Sequence, residues 1–376
     1  MKAIVNGRLI LPNADGDFFV EQTSIAFDDR IRSIGAIDEN VDEVLDARGN
    51  FVAPGFINVH IHGCAGADTM DDSPDAVSTM RSFLPKTGVT SFLPTTMTMP
   101  IEKIHRALER IRREKKIDGG ARVLGAHVEG PFISKQFTGA QAVENIIRAD
   151  FDLIEPFSDA IKIITVAPEE CSDDFMDQCL QKKIVVSIGH SAASYETAIA
   201  AIARGARHVT HLFNAQTGLH HRRPGIVGAA LDSNAIVELI TDNVHVNPVV
   251  QRIVSKLKPR GEIVLITDSL RACGLGDGVI EFGGQSVTVC GNLATLADGT
   301  IAGSIAPMNV VVRNFVENSG WSIESVVECV TKNPAIELGL YGELGSIEIG
   351  KAADLIVFDD ALNIRAVFVD GKREEF

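Results

Sequence analysis

The sequence is poor in the residues that would mark a secreted, membrane-bound or nucleic-acid-binding protein. Only six of its 376 residues are cysteine, and no two of them form a CxxC pair. This scarcity favours free thiols in a reducing cytoplasm over a disulfide scaffold or a thiolate zinc site. Positive charge is scarce too: the 35 Lys and Arg residues are outnumbered by 50 Asp and Glu residues, and the net charge is −15. Without a basic stretch to follow a phosphate backbone, we expect no nucleic-acid partner.

Long apolar runs are also missing. No run approaches the roughly 18 residues that a membrane-spanning helix needs, and polar residues from Asn6 to Arg8 interrupt the apolar N-terminus. We therefore expect no membrane partner and no export signal. What the chain does have is 45% hydrophobic residues, which is enough for a large buried core.

Short β-rich runs occupy both ends of the chain. They lie at residues 2–10, 24–27, 30–34, 354–358 and 364–369. Because the two ends of a domain often lie near one another, we predict one small β domain built from residues 1–53 and 346–376.

The middle of the chain alternates β-branched apolar runs with amphipathic helical stretches. The strand candidates lie at residues 55–61, 89–93, 122–128, 161–166, 184–188, 208–212, 235–240 and 262–266. Eight such units predict an α/β fold, a TIM-like (β/α)8 barrel over residues 54–345, with a doubly wound open sheet as the alternative. Between about 277 and 303 the sequence is β-like again, which predicts a hairpin insertion near the mouth of the barrel.

His60 and His62 mark the end of the first predicted barrel strand. Alternate residues of a strand point to the same face, so the two imidazoles converge. A packed, hydrogen-bonded strand end uses the same residue type. The pair alone therefore leaves a metal site and a structural role open.

Metal-ligand residue types recur at the ends of other predicted strands. Glu129 ends strand three, His190 follows strand five, His211 lies in strand six, and Asp268 follows strand eight. In a parallel barrel these ends share the face that carries active sites. Nitrogen and oxygen ligands suit zinc, iron or manganese, so the sequence predicts a divalent metal site.

Several other candidates are ambiguous from sequence alone. His105 falls on the polar side of a predicted helix and is expected to be solvated, whereas His127 supports either ligation or a core role. Arg222 belongs to a basic island at residues 220–223, which is either a solvated loop or a contact to an anionic group of a substrate at the metal. Lys162 begins strand four instead of ending it, which argues against the carboxylated-lysine bridge of cyclic-amide hydrolases.

Together these motifs resemble the N-acetylglucosamine-6-phosphate deacetylases of the amidohydrolase superfamily over nearly the whole chain. The resemblance rests on Pro54–Gly63 (PGFINVHIHG), His127–Phe132 (HVEGPF), Gly189–Ser191 (GHS), Thr210–Ala215 (THLFNA), Arg222 before Pro224-Gly225, Thr241–His245 (TDNVH) and Thr267-Asp268.

The resemblance implies one or two divalent ions per subunit, zinc first and iron or manganese as alternatives. The implied metal-site residues are His60, His62, Glu129, His190, His211 and Asp268. In this scheme Glu129 bridges two metals, and Asp268 lies next to the attacking water as the catalytic acid and base.

The resemblance further implies deacetylation of N-acetyl-D-glucosamine 6-phosphate to D-glucosamine 6-phosphate and acetate, within amino-sugar metabolism. It implies a homodimer in which Arg222 reaches the substrate phosphate in the neighbouring subunit. The implied substrate contacts are Ala140, Gln141, Asn214, Ala215, Arg222 and His245.

The chain departs from the family at Gln141, where a histidine is usual, and in the loops at residues 269–274 and 304–308. These departures leave N-acetylgalactosamine 6-phosphate open as the substrate. Another amidohydrolase acting on a cyclic amide or an aminopurine, and a non-catalytic barrel homologue, are the less favoured alternatives.

Overall fold

The computed structural model of the protein describes residues 1–37 and 41–376. Its strands, in chain order, are β1 (Lys2–Pro12), β2 (Phe18–Phe27), β3 (Ile31–Ile34), β4 (Glu43–Asp46), β5 (Phe51–Pro54), β6 (Phe56–Ile61), β7 (Gly63–Cys64), β8 (Ala67–Asp68), β9 (Val89–Pro94), β10 (Arg122–Val123), β11 (Ala126–Glu129), β12 (Ile161–Val166), β13 (Val185–Ile188), β14 (His208–Val209), β15 (Ile236–Ile240), β16 (Ile263–Ile266), β17 (Gly278–Phe282), β18 (Gln285–Cys290), β19 (Leu293–Thr295), β20 (Leu355–Phe358), β21 (Ile364–Val369) and β22 (Lys372–Arg373).

The α-helices lie mainly between the central strands. They are α1 (Ala76–Phe83), α2 (Ile101–Glu114), α3 (Asp173–Gln181), α4 (Tyr195–Arg204), α5 (Gly225–Leu231), α6 (Pro248–Leu257), α7 (Met308–Ser319), α8 (Ile323–Glu328) and α9 (Lys332–Glu337). Short 3-10 turns lie at Leu84–Thr87, Val143–Asn145, Phe151–Leu153, Glu155–Phe157, Pro168–Glu170 and Arg260–Glu262. Within the described ranges, no helix has both the length and the apolar character needed to cross a membrane.

The two ends of the chain share one sheet, with strand order β22-β21-β20-β5-β1-β2-β3 and β4 also paired with β1. Strand β20 runs antiparallel to β5, with Leu355 opposite Pro54, and this pairing joins the C-terminal strands to the N-terminal ones. The sheet has an apolar cluster of its own, in which the rings of Phe27 and Phe368 meet edge to face at 5.0 Å.

The central strands form two parallel sheets, ordered β10-β9-β6 and β11-β12-β13-β14-β15-β16. The predicted third strand is split between β10 and β11. A doubly wound sheet reverses its strand order, whereas among the described strands this order follows the chain without reversal. Backbone hydrogen bonds link the sheets, from Thr96 N to His127 O and from Asp268 N to His60 O, both at 3.0 Å. The carboxyl ends of β6, β11 and β16 therefore lie close together.

Helix α2 shows how the predicted pattern becomes packing. Ile104, Leu108 and Ile111 recur at helical spacing and are fully buried in the main apolar cluster. Each buried aliphatic side chain of this size contributes about 1.5–3 kcal/mol. His105 on the same helix is half-buried, and its Nε2 lies 2.7 Å from the carbonyl oxygen of Leu153. The prediction that His105 is solvated is wrong, because the 3-10 turns after residue 150 cover that side of the helix.

The segment after β16 forms three antiparallel strands, β17, β18 and β19, instead of a single hairpin. Gly283 and Gly284 connect the first two with φ angles of 60° and 85°, which suit a tight turn only glycine enters freely. The Gln285 side chain at the start of β18 donates a hydrogen bond to the carbonyl oxygen of Ala140 at 2.7 Å. This contact ties the inserted sheet to the loop that follows β11.

Candidate active site

Strand ends bring the predicted ligands into one buried cluster. Glu129 ends β11, while His190, His211 and Asp268 each follow their strands by two residues. The backbone φ angles of the last three are 47°, 28° and 49°, in the left-handed region that L-residues rarely enter. Such strain persists only where the surrounding structure imposes it, and it is concentrated at functional sites. Here it turns the side chains inward.

The Glu129 carboxylate is the centre of the cluster. Its Oε1 lies 3.0 Å from His211 Nε2, 3.1 Å from His190 Nε2 and 3.6 Å from His60 Nε2. Its Oε2 lies 3.2 Å from His62 Nε2. One buried carboxylate therefore faces four imidazole nitrogens.

Asp268 contacts the same two strand-one histidines. Its Oδ1 is 3.2 Å from His62 Nε2 and 3.4 Å from His60 Nε2. Burial disfavours its charge, but the facing imidazoles outweigh this and hold the pKa of Asp268 below its ordinary value. The carboxyl group is therefore ionised and able to accept a proton.

Acceptors at Nδ1 orient three of the four imidazoles. They pair His60 with Glu238 Oε2 at 2.9 Å, His62 with the carbonyl of Thr95 at 3.3 Å, and His190 with the carbonyl of Phe137 at 3.0 Å. An acceptor at Nδ1 keeps the ring proton there and leaves the Nε2 lone pair free to bind a metal.

This donor set fits a divalent cation. Two groups share Glu129, one with His60 and His62 and the other with His190 and His211, and in each the ligand atoms lie within 4.8 Å of one another. The buried Nε2 of His60 has no hydrogen-bond partner among the described residues. Because buried polar atoms are normally satisfied, a cation accounts for this orphaned nitrogen.

The electrostatics of the cluster also favour a cation. Burial opposes the positive charge of His62 and His211. The carboxylates of Asp268 and Glu129 accept hydrogen bonds from His62, and that of Glu129 accepts one from His211, and these contacts raise the pKa of His62 to about 10 and that of His211 to about 9. The pKa of Glu129 falls well below its ordinary value, against its burial, because His190 and His60 face it. The carboxylates thus favour protonated imidazoles in the absence of a metal. A metal ion that binds at the Nε2 atoms displaces these protons.

The cluster opens into a cavity of about 180 Å³. Predicted substrate-contact residues line it together with the ligand candidates: Ala140, Gln141, Asn214, Ala215 and His245. The inserted sheet closes one side, where the Phe282 ring packs edge-on against His62 with centroids 5.3 Å apart. This volume is below the roughly 300–1,000 Å³ typical of pockets for drug-sized ligands, so a small molecule suits it.

Gln141 contacts the cluster itself. Its Nε2 donates a hydrogen bond to Glu129 Oε2 at 2.7 Å, and its Oε1 accepts one from the backbone N–H of Thr98 at 2.7 Å. Both ends of the amide are therefore bonded to protein, although the residue also lines the cavity. Sequence reasoning missed this support of Glu129, because Thr98 is 43 residues away in the chain.

Arg222 does not line this cavity. It is exposed, with Nη1 2.7 Å from His221 Nε2, and lines a separate pocket of about 470 Å³ with Phe137 and Arg223. The interpretation in which Arg222 reaches a substrate at the metal of its own chain is therefore not supported by this arrangement.

Two further residues complete the surroundings of the cluster. His127 bonds the carbonyl of Val59 at 2.9 Å and Thr165 Oγ1 at 2.7 Å, and burial lowers its pKa to about 3. Of its two predicted roles, the core role fits. Glu238 lies inside the apolar strand β15 and escaped the sequence analysis, because no local motif distinguishes it.

The chain is similar to several known proteins. A model of the amidohydrolase family matches residues 51–373. The chain is 41% identical to an N-acetylglucosamine-6-phosphate deacetylase of Bacillus subtilis (84% of this chain, 82% of the relative) and 36% identical to an N-acetylgalactosamine-6-phosphate deacetylase of Escherichia coli O157:H7 (91% and 93%). The crystal structure of N-acetylglucosamine-6-phosphate deacetylase from Pasteurella multocida superposes with a TM-score of 0.94 at 30% identity, covering 100% of both chains.

Proposed function

The chain belongs to the amidohydrolase family and, within it, to the N-acetylglucosamine-6-phosphate deacetylases, and from this membership we propose that it hydrolyses the acetamide of N-acetyl-D-glucosamine 6-phosphate. The products are D-glucosamine 6-phosphate and acetate. The observation that carries the proposal is Glu129 facing four imidazole Nε2 atoms, with Asp268 beside them, at the base of a small cavity.

One or two divalent ions are part of this proposal, with zinc as the first candidate and iron or manganese as alternatives. The residues that would hold them are His60, His62, Glu129, His190, His211 and Asp268. When bound, such an ion polarises the acetyl carbonyl and lowers the pKa of water.

Asp268 carries the proton in the proposed reaction. Its ionised Oδ1 accepts a proton from the water that attacks the acetyl carbonyl carbon, and it returns this proton to the amide nitrogen as the C–N bond breaks. One C–O bond forms for each C–N bond lost, so water and amide become acetate and amine. Phe282, packed on His62, limits the entry of bulk water from the side of the inserted sheet.

The arrangement of the whole molecule follows from the same membership. We propose that the two parallel sheets close into a (β/α)8 barrel over residues 54–345, with a small β domain from residues 1–53 and 346–376. We further propose a homodimer, in which Arg222 serves the neighbouring site. All six cysteines are free thiols, which suits the cytoplasm as the place of action.

Acetate release tests the proposed function directly. Purified, metal-loaded protein is incubated with N-acetylglucosamine 6-phosphate, N-acetylgalactosamine 6-phosphate and unphosphorylated N-acetylglucosamine, and acetate is measured. We expect release from the first substrate above the other two. Absence of acetate from every phosphorylated sugar would contradict the proposal.

Arg222→Ala should weaken the use of phosphorylated substrate selectively. A charge-assisted hydrogen bond contributes about 1.5–3 kcal/mol, so we expect KM for N-acetylglucosamine 6-phosphate to rise roughly 10- to 100-fold. KM for the unphosphorylated sugar should change little. Arg252→Ala, at an exposed arginine of α6, is the matched control. Equal effects of Arg222→Ala on KM for both substrates would contradict a phosphate contact and favour the interpretation of Arg222 as part of a solvated loop.

Subunit mixing then tests whether Arg222 acts across a dimer. One subunit carries Arg222→Ala and the other His211→Asn, and the two are allowed to exchange. A mixed dimer keeps one site with an intact cluster and an intact arginine from the partner, so the low KM should return. A mixture no better than its parents would contradict the dimer proposal.

Gln141→His tests which sugar the cavity prefers. The wild type should have a higher kcat/KM for the gluco substrate than for the galacto substrate. Because both ends of the Gln141 amide bond Glu129 and Thr98, the substitution should lower kcat for both sugars and change their ratio by less than about threefold. Gln181→His, at the exposed end of α3, is the control. A wild-type preference for the galacto form would make that epimer the substrate.

A further inference from the structure

A fully buried carboxylate outside the ligand set contacts the cluster from behind. Glu238, in β15, has no exposed surface. Its Oε2 lies 2.9 Å from His60 Nδ1 and also accepts a hydrogen bond from the backbone N–H of His211 at 3.0 Å. Glu238 therefore contacts one member of each ligand group, His60 through its ring and His211 through its backbone.

The contact with His60 decides which ring nitrogen carries the proton. With a carboxylate at Nδ1, the proton stays on Nδ1, and the Nε2 lone pair is presented toward Glu129 and Asp268. This is the same Nε2 that has no hydrogen-bond partner among the described residues. If Nδ1 lost its acceptor, the ring would be free to rotate or to carry its proton on Nε2.

A second buried pair compensates the charge of Glu238. His208 Nε2 lies 3.0 Å from Glu238 Oε1, and His208 Nδ1 lies 2.5 Å from Glu337 Oε1 on α9. A histidine between two carboxylates is favoured as a cation, which keeps the buried Glu238 ionised. These groups form a continuous polar column from α9 through the parallel sheet to His60.

We propose that Glu238 is a positioning residue, which fixes the ring of His60 so that its Nε2 serves the metal position shared with His62 and Glu129. The inference rests on the metal site of the proposed function. It goes further, because it assigns part of the metal affinity of that position to a residue that contacts neither the metal nor the substrate.

Zinc affinity measures this effect without reference to turnover. Zinc binding to the purified full-length protein is followed by competition with a chromogenic chelator, for the wild type and for Glu238→Gln. An outer partner of a metal-bound histidine typically contributes 10- to 100-fold in affinity, so one zinc position should weaken by about that factor. Glu114→Gln is the matched control, because Glu114 is a buried carboxylate paired with Arg81 at 3.0 Å away from the cluster. It should leave zinc affinity unchanged.

A double-mutant cycle separates positioning from general loss of structure. If Glu238 acts through His60, Glu238→Gln added to His60→Asn should weaken zinc binding by less than about threefold more. The proposal is overturned if the Glu238→Gln variant binds zinc as tightly as the wild type does. It is also overturned if Glu238→Gln lowers zinc affinity by the same factor in the presence and in the absence of His60. The second outcome would assign its effect to His211 or to the fold.

If the Glu238→Gln variant does not fold, zinc affinity is measured on Glu238→Asp instead. It keeps the carboxylate but withdraws it from His60 by one methylene, so it too should weaken one zinc position. Zinc binding as tight as in the wild type would overturn the proposal. Acetate release by the wild type tests the proposed function separately, so a failure of that assay and a failure of the zinc cycle are distinguishable.

Discussion

Replacing Asp268 with asparagine should lower kcat by roughly two to four powers of ten while KM stays within a few-fold of the wild type. Asparagine has nearly the same shape, but it cannot take the proton from the attacking water or return it to the amine. The backbone contacts of Asp268, from its N–H to His60 O and from Ser304 N–H to its own carbonyl, do not involve the side chain. We therefore expect the fold to be retained.

The measurement is a steady-state titration of acetate release, with metal content and circular dichroism recorded on the same samples. Asp177→Asn is a suitable control, because Asp177 is a carboxylate of helix α3 that pairs with Arg204 on the surface. It should leave kcat unchanged. Turnover of Asp268→Asn close to that of the wild type would remove Asp268 from the mechanism.

The regular parts of this fold follow from local sequence patterns. Runs such as residues 161–166 and 364–369 form strands with the predicted bounds, because β-branched apolar residues between turn signals leave few alternatives. The split of the third strand into β10 and β11 was not predicted. There Gly125 has a φ of 153°, and a Cβ at this position would meet the carbonyl oxygen of Ala160 at 2.5 Å.

The candidate site was predictable only where a motif is local. His60, His62 and Glu129 stand at strand ends, and the parallel order of the strands suffices to bring them together. Glu238 and Gln141 act through contacts between residues far apart in sequence. Glu238 contacts His60, which is 178 residues away, and Gln141 contacts Thr98, which is 43 residues away. Such pairings depend on tertiary packing, which periodicity and spacing do not encode.

Replacing His211 with asparagine should remove most of the bound metal, and His190→Asn should do the same. Both Nε2 atoms lie within 3.1 Å of Glu129 Oε1, so either change leaves that group with an incomplete ligand set. The measurement is metal content by elemental analysis after dialysis. His105→Asn is the control, because this histidine belongs to α2 and bonds the carbonyl oxygen of Leu153. The metal content of this variant should equal that of the wild type.

Thermal unfolding gives an independent test of the same ligand set. A ligand that binds only the folded state stabilises it by about 2.7 kcal/mol when its free concentration is 100 times Kd. Chelation should therefore lower the Tm of the wild type and of His105→Asn by several degrees, but shift that of His211→Asn far less, because little metal remains to be removed. The unpaired Nδ1 of His211, which has no partner among the described residues, makes its Nε2 the main anchor of that ring. Full metal retention in both His190→Asn and His211→Asn would contradict the assignment of this group as a metal position.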